Sequence, residues 1–195
     1  MVDLDIVNPY FRSSDYVKML ENRGIQIIAP ALAGTTLDVP SISPEVSSVF
    51  DSGAGQVIFD AGGDAAGSRV LGRFYKGFSP GETEMLFVIN RFRAQIANPA
   101  DAGEILREIE EASRLKATGI VNNTHLCGLT TVEDVISSDD YAQEVCRLSG
   151  LPLVYTAVEK RLLDTAGENP SAEGERIKNP FPLEILVRTP WQTKS

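Results

Sequence analysis

The chain alternates short, β-branched apolar runs with longer stretches of helical period, and this alternation restricts it to folds in which parallel strands are joined by helices. The runs lie at 2–6, 25–28, 56–59, 85–89, 117–121, 153–156 and 183–187. Val57-Ile58-Phe59 and Leu86-Phe87-Val88-Ile89 are apolar without alternation, which predicts central strands covered on both faces. The expected fold is therefore α/β, a mostly parallel sheet with helices on both faces in three layers. The length of 195 residues suits a single domain over 1–195, with 167–182, rich in Gly, Pro and charge, as a surface loop.

Capping chemistry fixes the helix ends. Asn98-Pro99 offers an N-cap followed by proline at the first helical position, and Ile105, Leu106, Ile109 and Ala112 recur at helical spacing behind it. Thr130-Thr131-Val132-Glu133 reads as a capping box opening a helix that stops at Gly150, with a break at Ser137-Ser138. Ser13 or Ser14 caps a helix ending at Gly24. Pro30 to Ser43 is long for an ordinary connection and reads as a functional loop.

With 27 acidic and 18 basic residues the net charge is -9, which excludes bulk nucleic-acid binding. No apolar run reaches the roughly 18 residues of a membrane helix. The tail at 188–195 is too short and proline-broken for an amphipathic anchor, so no membrane recruitment is expected. Cys127 and Cys146 have neither metal-site spacing nor a signal-peptide pattern ahead of them, and the expected setting is the cytoplasm.

In open parallel sheets ligands bind beyond the carboxyl ends of the strands. Those ends are acidic here. Asp3 and Asp5, two apart, share one face of the first strand, and Gln56 to Phe59 runs into Asp60-Ala61-Gly62-Gly63-Asp64. A carboxylate at the end of an apolar strand, beside glycines that let a phosphate approach the backbone, suits Mg²⁺ in nucleotide enzymes. The same residues also compose a plain turn, and Asp3 and Asp5 an acidic edge facing water.

Taken in order, VDLDIVNPYFRS, VIFDAGGDAAG and TGIVNNTH resemble the MinD/ParA-like ATPases of the CobQ/CobB/MinD/ParA nucleotide-binding group of P-loop proteins, over about residues 1–160. The nitrogenase iron protein is a more distant relative. The resemblance implies a P-loop NTPase-like fold that uses ATP and Mg²⁺. Asp5 matches the first-switch aspartate that orients the attacking water, and Asp3 lies near the metal and phosphates. Asp60 matches the Walker B aspartate that holds Mg²⁺, Gly63 lies near the γ-phosphate, and Asp64 is similar to the second-switch aspartate. Asn122 matches the asparagine that bonds the adenine edge. A homodimer or a protein partner is implied as well.

Two departures qualify the match. Ala65-Ala66-Gly67 follows Asp64 where the iron protein has a cluster cysteine, so no iron-sulfur cluster is expected. None of Lys18, Lys76, Lys116, Lys160, Lys178 and Lys194 follows a glycine, so the chain has no G-x-x-x-x-G-K-[ST]. In the family that loop, with its strand and helix, precedes the VDLD strand. The expectation is an N-terminally incomplete ATPase that binds ATP poorly by itself. The alternative is a partner-binding remnant that binds no nucleotide. A phospho-acceptor receiver fits less well, because the chain is long and no lysine closes the strand at 153–156.

His125, Arg91 and Arg93 stand just beyond strand ends, where they can approach a ligand or simply occupy solvated loops.

Overall fold

The computed structural model describes residues 1–5, 13–29, 45–163 and 177–186. Ile6, the loop at 30–43, residues 167–176 of the expected surface loop, Val187 and Trp191 lie outside the described residues. The chain is α/β, and every strand pair among the described residues is parallel. It forms two compact units, Met1–Glu82 with Ile109–Leu115, and Thr83–Glu108 with Lys116–Ser195.

In the first unit β1 (Val2–Asp3) lies parallel to β2 (Phe59–Asp60), with Val2 opposite Phe59 and Asp3 opposite Asp60. On its other side β1 bridges to Ile28, whose O accepts from the Asp3 N–H at 2.9 Å. The run at 25–28 therefore supplies a single bridge rather than a strand. Val2, Leu4, Val46, Val70 and Leu71 form the buried core. Phe59 stacks on Phe50 at 5.5 Å and meets Phe78 edge-on at 5.0 Å. α2 (Glu45–Ser48) brings Val46 into this core, and α1 (Val17–Glu21) and α3 (Ala65–Ser68) are the other short helices of the unit. The chain turns after α1 at Gly24, whose φ of +75° is the left-handed conformation that glycine permits.

In the second unit β3 (Leu86–Ile89), β4 (Gly119–Asn122), β5 (Leu153–Glu159) and β6 (Pro180–Leu183) form one sheet in chain order. α4 (Pro99–Ser113) joins β3 to β4, and α5 (Val132–Ser149) joins β4 to β5. The Ala100 N–H donates to Asn98 Oδ1 at 3.1 Å, as the Asn-Pro pair predicts. α5 is capped by Thr131 and Asp134, one residue later than the sequence suggests, and runs through Ser137-Ser138 without a break to Gly150. It does not break because both serine hydroxyls bond back to carbonyls one turn earlier, Ser137 to Asp134 O and Ser138 to Val135 O.

β6 begins at Pro180, within the stretch read as a loop and ahead of the apolar run at 183–187. The Thr156 N–H donates to Asn179 O, so 179, 181 and 183 turn their backbone groups towards β5. Pro180 and Pro182 then point away from the ladder, where a missing N–H costs nothing.

A right-handed crossover lays its helix on one face of the sheet, and α5 packs there against β4 and β5. Phe87, Ile89, Ile120, Asn122, Thr156 and Val158 are buried on that face. On the other, Val88, Val121 and Tyr155 stand in register, and Tyr155 meets Phe181 at 5.1 Å. Leu86, Val88, Tyr155 and Phe181 are 39% to 52% exposed there. β3, which its apolar run suggests is a central strand covered on both faces, is the first strand of this sheet with one open face.

Candidate functional site

The first unit gathers three carboxylates at the carboxyl ends of β1 and β2. The Leu4 N–H donates to Asp60 O at 2.7 Å and stitches the two ends together. Asp3 is fully buried and its Oδ1 accepts from the Asp5 N–H at 3.1 Å, so the reading of an acidic edge facing water does not hold for it. A Cβ on Gly62 would lie 3.3 Å from Asp5 Oδ1, so the Asp5 carboxylate rests against the glycine turn.

Burial raises the Asp60 pKa above its ordinary 3.8, and the charges of Asp3 and Asp5 push the same way. Ser13 acts in the opposite direction from close by. Its buried hydroxyl nevertheless makes no hydrogen bond of ordinary geometry among the described residues, and burial decides the sign. With Asp3 and Asp5 close enough to act on Asp60, the site favours a cation or a proton held at Asp60.

Asp64 caps α3: its side chain accepts from the Gly67 N–H at 2.7 Å, and its carbonyl from the Ser68 hydroxyl at 2.7 Å. Gly63 is exposed, with open space where a Cβ would stand. Gly62 and Gly67 are in backbone contact, so the turn folds tightly against the start of α3.

Asn122 lies in the second unit, 1% exposed at the end of β4. Its Nδ2 donates to Ser138 Oγ at 2.8 Å, and its Oδ1 accepts from the Thr124 N–H at 3.2 Å and the Thr124 hydroxyl at 2.8 Å. The amide thereby ties the strand end to α5. Asn123 is half-buried and its side chain has no hydrogen-bond partner among the described residues. Sequence reasoning missed Ser13, Thr124 and Ser138. Hydroxyl residues carry no spacing signal, and only their contacts reveal them.

Cys127 is exposed in a turn at φ +53°, whereas Cys146 is half-buried, with burial and then Asp139 raising its thiol pKa. Among the described residues no three His, Cys, Asp or Glu side chains are grouped to hold a metal ion directly. No helix among them is long and apolar enough to cross a membrane.

These features define an α/β protein of parallel sheets with a carboxylate cluster at its strand ends. No family model, curated protein or solved structure matches the chain.

Proposed function

We propose that the chain carries the carboxylate half of a MinD/ParA-like switch site that binds and hydrolyses ATP with Mg²⁺ in the cytoplasm. The carrying observation is the meeting of Asp3, Asp5 and Asp60 beside Gly62 at the carboxyl ends of β1 and β2. In this reading Asp5 orients the attacking water and Asp60 holds the metal. Mg²⁺ keeps most of its waters and takes one or two carboxylates plus substrate phosphates, so it needs no all-protein cage. Asp3 holds the Asp5 backbone, Gly63 leaves room for the γ-phosphate, and Asp64 fixes the turn that carries Gly63.

In this reading a second segment or partner that carries G-x-x-x-x-G-K-[ST] supplies the phosphate loop. β2 pairs along one edge only among the described residues, and the resemblance puts the phosphate-loop strand beside the Asp60 strand. A homodimer or a protein partner follows from the switch reading.

The test measures binding of a fluorescent ATP analogue, and phosphate release, with the chain alone and with a strand, G-x-x-x-x-G-K-[ST] loop and helix joined ahead of Met1. The expected result is weak binding alone and Mg²⁺-dependent binding with turnover in the extended chain. An extended chain that folds but takes up no nucleotide would overturn the reading.

A second reading, a partner-binding remnant without nucleotide, is favoured by the open apolar face of Leu86, Val88, Tyr155 and Phe181. It expects the extended chain to bind no ATP.

A further inference from the structure

The loops that follow β3 and β4 are tied together. Asn90 Nδ2 donates to His125 O at 3.2 Å, the Arg91 N–H to Thr124 Oγ1 at 3.2 Å, and the Asn123 N–H to Ile89 O at 2.8 Å. Arg91, Arg93 and His125 stand on this paired platform.

Arg91 is committed, because its Nη1 donates to Ser137 O at 2.6 Å and to Ser137 Oγ at 3.1 Å. Arg93 is exposed and makes neither an ion pair nor a side-chain hydrogen bond among the described residues. In a chain with 27 acidic residues, an arginine that meets no carboxylate marks a local excess of positive charge.

His125 is held in one tautomer. The Cys127 N–H donates to its Nδ1 at 3.1 Å, which places the ring proton on Nε2. Nε2 has no partner among the described residues. Burial, and then the nearby charge of Arg93, lower the pKa of the ring, so it stays a neutral donor at pH 7.

We propose that Arg93 and the Nε2–H of His125 form a binding site for a phosphate oxyanion at the loop edge of β3 and β4. Arg93 supplies charge and a planar fork of donors, and His125 supplies a single donor aimed by its bond to Cys127. Free phosphate and a phosphate monoester share the chemistry the site recognises. The site lies in the second unit, whereas Asp3, Asp5 and Asp60 lie in the first. It stands without the nucleotide reading.

The test titrates the full chain with inorganic phosphate and, separately, with phosphoserine, without ATP or Mg²⁺. His125 is the only histidine, so its ring signals in the NMR spectrum need no further assignment. The expected result is a saturable shift of those signals, with the tighter of the two probes identifying the source. Arg93→Gln is expected to weaken binding about tenfold, as loss of a charge-assisted contact does.

His125→Asn keeps an acceptor for the Cys127 N–H but removes the outer donor. By calorimetry it is expected to bind phosphate about fivefold more weakly while its fold stays that of the parent. Shifts that do not saturate, or equal binding by Arg93→Gln and the parent, would overturn the proposal.

Discussion

A Cβ on Gly67 would lie 2.6 Å from the Cα of Gly62, so α3 packs on the Gly62-Gly63 turn only because both contact positions lack side chains. Gly67→Ala is expected to destabilise the chain by about 2 to 3 kcal/mol, since backbone rather than a flexible side chain must move. Gly63→Ala meets open space and is expected to change stability by less than about 0.5 kcal/mol. Urea unfolding of the two variants separates them, and equal stability would show that the turn relaxes freely.

Asp5 and Asp60 have separable tasks in the proposed reaction. In a chain extended by the phosphate loop, Asp5→Ala is expected to abolish hydrolysis and keep much of the ATP binding. Asp60→Ala is expected to weaken both through the metal. Turnover by Asp5→Ala equal to the parent's would remove the assignment of that residue.

The raised pKa of Asp60 makes stability pH-dependent in a set direction. Between the ordinary carboxylate value and the raised folded value the native state binds more protons than the unfolded chain, so stability falls as pH rises through that window. Asp60→Asn removes the half-buried charge. Its melting temperature relative to the parent is expected to rise more at about pH 7 than at about pH 3, as scanning calorimetry can read.

Asn122 anchors its loop by three hydrogen bonds in a buried setting. Asn122→Ala leaves the Thr124 N–H and hydroxyl proton without their acceptor and is expected to cost about 3 kcal/mol by urea unfolding, whereas Asn123→Ala should cost under about 0.5 kcal/mol.

Much of the second unit was legible, because β3, β4, β5 and α4 follow apolar period and capping chemistry that act locally. α5 was legible in extent but not in continuity: Ser137-Ser138 reads as a break until both hydroxyls are seen bonding within the helix. β6 was misplaced since prolines argue against a strand, and only its outer position in the sheet makes Pro180 and Pro182 tolerable.

At the site, the proximity of Asp5 and Asp60 followed from strand ends, whereas the burial of Asp3 did not, because the alternation of Val2-Asp3-Leu4-Asp5-Ile6 reads as an acidic face in water while β1 is only two residues long. The capping role of Asp64 was hidden for a different reason. A cap depends on where the helix begins, and α3 is too short to show a period.

Strands laid down in chain order have one further consequence for the second unit. Open α/β sheets form a natural crevice at a topological switch point, where successive crossovers leave the sheet on opposite sides. Among the described residues the strand order of this sheet never reverses. A ligand at this edge meets no switch-point crevice within that sheet and is gripped by the loops themselves. The bonds that join Asn90 to His125 and Arg91 to Thr124 therefore perform the pre-organisation that the walls of a crevice would otherwise provide.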